Sequence, residues 1–131
     1  MTTASPPPAF LFLTRTVARV LFALPFIASG LFHFIKASEM APAVPIPGGV
    51  VWVYVTGAGL LAGGLGVLFR WLGMWGALGL ALLLILFILT VHLPALGNPA
   101  MRQMAMAGVL KDTGLLGGAL TWAGILASNE Q

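Results

Sequence analysis

Charge is what this chain has least of. Its 131 residues include only six Lys/Arg and three Asp/Glu, 7% of the total, where a soluble globular domain carries roughly 25%. So few charges cannot cover a water-facing surface, which excludes an ordinary soluble domain. Cysteine is absent altogether. That excludes disulfides, thiolate metal sites and dithiol relays within the chain, and leaves the compartment open. The two histidines and three acids are scattered, so no metal site is expected from them; a closed structural zinc site needs four ligands. A basic cluster is also missing. Arg15, Arg19, Lys36, Arg70, Arg102 and Lys111 are spread along the chain. The net charge of +3 therefore does not describe a nucleic-acid surface, and the basic residues read as flanks of membrane spans.

What is present is apolar. Hydrophobic residues make up 60% of the chain and the mean hydropathy is +1.04. A helix crossing lipid needs about 20 predominantly apolar residues. Backbone groups in lipid must be satisfied within the segment, which favours helices, and the runs are too unbroken for the alternating pattern of a membrane barrel. Four runs qualify, at about 14–36, 50–69, 71–92 and 101–127. The first follows Arg15 and Arg19 as a signal peptide would, but Phe32, His33 and Phe34 directly follow its small residues, so an uncleaved helix is expected. Pro25 should kink that helix. The segment 37–48, with Pro42, Pro45 and Pro47, reads as a loop. The third run is expected to stop before Pro94. The expected fold is all-α, a membrane-spanning four-helix bundle running up-down-up-down. A flexible tail (1–13) precedes a single transmembrane domain (14–127), and a polar tail (128–131) follows it.

Helices in lipid pack through small residues. Gly59 and Gly63 form one GxxxG pair, Gly114 and Gly118 another, and Gly73, Gly76 and Gly79 recur in the third run. These are the expected packing positions. Trp52, Tyr54, Trp71, Trp75 and Trp122 lie near helix ends and read as an aromatic belt.

The polar groups converge on one face. In an up-down-up-down order the first and third helices end where the second and fourth begin. His33, Lys36, His92, Arg102, Lys111 and Asp112 then collect at that face as a candidate ligand site, with Glu39 in a neighbouring loop. No complete catalytic set is present. The apolar run after Asp112 spans only about 15 residues, short of the ~20 of a full span. The helix must therefore run back through Lys111 and Asp112 and carry both below the membrane surface. A charge at that depth usually faces the interior with a partner. Adjacent helical residues point about 100° apart, so the two need not pair. Glu39 or a carbonyl is a candidate partner for Lys111, and His33, His92 or Arg102 for Asp112. The alternative is that Lys111 snorkels and Asp112 follows it. The histidines are open to three readings: interfacial groups, contacts to a quinone or other small ligand, or haem ligands.

The stretches ARVLFALPFIASGLFHFIK, the glycine-rich second and third runs joined through Arg70, and KDTGLLGGAL resemble the DoxX family of small four-helix bacterial membrane proteins. The likeness extends over about 15–127. It implies a bundle in the bacterial cytoplasmic membrane and an oxidoreductase or accessory subunit linked to quinone chemistry. Where many relatives have a Glu in the second helix this chain has Leu60, which weakens an enzymatic reading. The termini are expected in the cytoplasm, because Lys111 lies within an apolar run and not in a loop. The first functional expectation is a non-catalytic subunit of a larger membrane complex, with other subunits or copies of itself as partners. The second is a subunit binding quinone, or less readily haem, at the polar end. The third is a small transporter.

Overall fold

The computed structural model describes residues 4–129. Among them the chain is all-α, with no strand. Four long helices dominate: α1 (Pro8–Ile35), α3 (Gly49–Phe69), α4 (Gly73–Ala95) and α5 (Arg102–Ser128). A one-turn helix, α2 (Ala37–Met40), and a 3-10 turn (Ala41–Ala43) follow α1. Three of the long helices, α1, α3 and α4, are long and apolar enough to cross a membrane. The fourth, α5, is 27 residues long but misses that standard. Arg102, Lys111 and Asp112 dilute its apolar character, so three of the four expected spans stand on composition alone.

Several boundaries differ from the sequence expectation. The helix α1 begins at Pro8, well inside the expected tail, because proline in a first turn gives up only an N–H that has no partner there. The segment 37–48 is helical as far as Ala43, since Pro42 also falls in a first turn. The third run continues past His92 to Ala95. Its hydrogen-bond ladder widens to the π form over Ile88–His92, just ahead of Pro94, which has no N–H to donate. A second π segment spans Phe12–Val17 within α1. The turn between α3 and α4 is tight, with Arg70 and Gly73 both at positive φ, 63° and 53°.

α1 packs on α3, α3 on α4, and α4 on α5. Phe22 of α1 reaches Trp122 of α5, their ring centroids 6.4 Å apart. The core draws on all four long helices: Phe26, Leu60, Val67, Ala77, Leu80, Leu84, Ala119, Trp122 and Leu126. Large apolar side chains such as Leu24, Phe32, Leu82 and Leu120 point outward, as expected of a lipid-facing surface.

Glycine sets the helix spacing. A Cβ on Gly63 would come within 2.6 Å of Leu80, and one on Gly64 within 3.0 Å of Ile27. Gly59 and Gly118 sit 3.1 and 3.0 Å from Leu83 and Phe22 by the same measure, and Gly76 3.2 Å from Leu72. Gly73 serves the turn. Gly114 and Gly79 depart from the packing expectation, because a Cβ on either would meet nothing within 4 Å.

Candidate functional site

Asp112 is the one buried charged residue among the described residues, 3% exposed. It lies a few turns into α5, and the core face of that helix carries it inward. His92 comes from the π segment of α4. Its Nε2 lies 3.0 Å from Asp112 Oδ2. Lys111 Nζ lies 3.2 Å from the other carboxylate oxygen. An ionised carboxylate only accepts, so His92 donates from Nε2 and each oxygen of Asp112 holds one donor. Pairing on both oxygens is what a carboxylate needs when it is removed from solvent.

Lys111 does pair with its neighbour, contrary to the simplest reading of the 100° offset. Its stem is long enough to fold back, and two-thirds of the side chain stays exposed. Lys111 is thus exposed while Asp112 is buried. Of the partners considered from sequence, His92 holds Asp112. Glu39 instead pairs with Lys36, at 3.1 Å on the exposed surface, and Arg102 donates from Nε to the Leu96 carbonyl.

His33 stands on α1. Its Nδ1 lies 2.7 Å from the Ser29 carbonyl. A carbonyl can only accept, so Nδ1 carries the proton, and Nε2 is the acceptor of the neutral ring. The ring stacks on Phe87, the centroids 6.2 Å apart. Gly57 makes room for it, since a Cβ there would fall 2.7 Å from the His33 Cβ.

His33, His92, Lys111 and Asp112 all border one cavity of about 570 Å³. Apolar side chains form most of its wall, including Phe26, Val53, Leu60, Leu84 and Phe87, with Ser29, Thr56 and Thr90 among them. Four of the six candidate residues thus meet, while Lys36 and Arg102 stay outside. Leu60, the position where a Glu was considered, is part of the apolar wall. Such a chamber suits a ligand with an apolar body and a hydrogen-bonding head.

Some contributors were not visible in the sequence. Gly108 seats His92: a Cβ there would lie 2.5 Å from the ring, against Cε1 and Nδ1. Its signal, one glycine near two polar residues on a helix, names no partner. Trp52 was read as a belt residue. It also borders the cavity, and its indole N–H donates to the Pro47 carbonyl at 2.9 Å. That bond fixes the segment Ala43–Ile46, which forms another part of the wall. No group of three or more His, Cys, Asp or Glu able to hold a metal occurs among the described residues.

These features define a class: a small helical membrane protein with a buried aspartate, paired to a histidine and a lysine, on the border of an apolar chamber. A family model described as DoxX matches residues 14–93, more than half of the chain. The chain belongs to the DoxX family. No curated protein and no solved structure matches it. The family match takes in His33 and His92 and ends before Lys111 and Asp112, short of the 15–127 over which the likeness was drawn.

Proposed function

We propose that this protein is a membrane-embedded subunit that holds one lipophilic molecule with a hydrogen-bonding head, of the quinone class. The observation that carries the proposal is the coincidence of an apolar chamber of about 570 Å³ with His33, His92, Lys111 and Asp112 on its border. The apolar wall takes the ring and tail. His33 keeps Nε2 free of its bond to Ser29, and the exposed Lys111 ammonium has further protons to donate. Asp112 holds His92 and Lys111 in place and acts through them as a positioning residue. Haem ligation by both histidines fits poorly. His92 Nε2 is committed to Asp112 and its Nδ1 edge lies against α5 at Gly108.

In this reading α5 is the fourth span of an up-down-up-down bundle in the bacterial cytoplasmic membrane. The termini are cytoplasmic and the chamber lies toward the periplasmic leaflet. The test is gentle purification from the native membrane, with an absorption spectrum and mass spectrometry on one sample. About one quinone-class molecule per chain is expected, lost on Thr56→Phe, which fills the chamber. A haem band overturns the reading. So does a ligand-free protein whose thermal unfolding ignores an added short-chain quinone.

A second reading, a non-catalytic role inside a larger assembly, is supported by the outer face of α5. Gly114, Gly117 and Gly124 have nothing within 4 Å of a Cβ, and open glycines are where another helix approaches closely in lipid. Because the chain has no cysteine, Gly117→Cys supplies a single cross-linking handle. Specific cross-linking in native membranes supports the reading, and recovery of monomer alone overturns it.

A further inference from the structure

A second cavity, of about 440 Å³, lies at the opposite ends of the helices and is bordered by Arg15, Arg19, Arg70, Trp122 and Ser128 among others. Three arginines meet there from two separate stretches of chain. Arg15 and Arg19 are four residues apart on one face of α1, and Arg70 caps α3. The two carboxylates among the described residues, Glu39 and Asp112, are both engaged at the other end. Like charges at this spacing repel, so Arg15 and Arg19 gain nothing from each other.

Three further observations point to an anion. The Arg19 Nε is buried and has no hydrogen-bond partner among the described residues, so a buried donor is left unmet. A lysine or arginine that merely snorkels keeps its polar atoms in water. Arg70 is the only residue other than glycine at positive φ among the described residues, φ 63° at the helix end. Glycine is the residue that normally fills that position without strain. The arginine at this position borders the cavity despite the strained backbone. Arg15 lies in the π segment of α1, a distortion common at functional sites.

We infer that this cavity is a binding site for a phosphate group, taken from the head of an anionic phospholipid or from free phosphate. The guanidinium fork matches phosphate oxygens in pairs. A basic pocket between helices at the membrane surface is the setting in which anionic headgroups bind.

The test uses the full-length protein in phosphatidylcholine nanodiscs, with native mass spectrometry and thermal unfolding as readouts. Phosphatidylglycerol is added in one arm, and inorganic phosphate against chloride at equal ionic strength in the other. One retained phosphatidylglycerol per chain is expected, with binding about tenfold weaker in Arg19→Gln and in Arg70→Gly. Lys36→Gln should leave it unchanged. Arg19→Lys keeps the charge without the fork and should fall between. Stabilisation by inorganic phosphate alone supports the same site with a soluble source. Three results overturn the inference: no response to either probe, an equal response in Arg19→Gln and Arg70→Gly, or a response confined to Glu130→Gln, which would mean that the chain supplies its own anion.

Discussion

The two ends of these helices treat charge in opposite ways. At the His92 end a buried carboxylate is closed off by two donors, one on each oxygen. At the Arg19 end three cations gather around a cavity with no carboxylate beside them among the described residues. The first arrangement is complete within the chain. The second has unmet donors and gains by taking in an anion. The contrast shows that neither residue type nor burial alone separates a structural ion pair from a site. What separates them is whether the donors and acceptors already match.

The largest break in this comparison comes from opening the closed end. His92→Ala combined with Lys111→Met removes the donors from both oxygens of Asp112 and strands a buried carboxylate. A loss of about 3–5 kcal/mol is expected, read by reversible unfolding in detergent. Adding Asp112→Asn to that double variant should recover most of the loss. Gly108→Ala comes next. Its new Cβ would press on the His92 ring, and overpacking of this kind costs about 1–3 kcal/mol, with weaker quinone retention as the second readout. At the open end the sign reverses. Arg70→Gly relieves the left-handed backbone and should stabilise the protein by about 1 kcal/mol while weakening phosphatidylglycerol binding. The smallest effect belongs to Gly114→Ala. With open space around that position, the replacement should gain no more than about 1 kcal/mol, whereas Gly63→Ala, facing Leu80, should destabilise.

That His33, His92 and Asp112 border one cavity follows from helix direction, which brings the end of α1, the end of α4 and the first turns of α5 to the same side. The exact pairings were not legible. Whether Glu39 reaches Lys36 or Lys111 depends on where α2 turns, and that turn hides in a segment whose prolines suggest only a loop. The GxxxG spacing of Gly114 and Gly118 is identical to that of Gly59 and Gly63. Yet Gly114 faces open space and Gly118 faces Phe22, since spacing describes one helix and contact requires two. The arginines were seen only as rim residues for a related reason: Arg15, Arg19 and Arg70 meet through the packing of α1 on α3.

The π segment at Ile88–His92 has one more consequence. It works as a one-residue insertion that the helix absorbs without breaking, and every residue after it is re-phased. In a regular α-helix each residue advances the direction by about 100°. Wound as a regular α-helix, the same residues would swing His92 by most of that angle, away from Asp112. Deleting one residue from the segment would instead restore the regular ladder and leave the direction of the histidine nearly unchanged. The rotational setting of the histidine is therefore written in the width of the turn before it, and two relatives with helices one residue different in length can still present it to the same carboxylate.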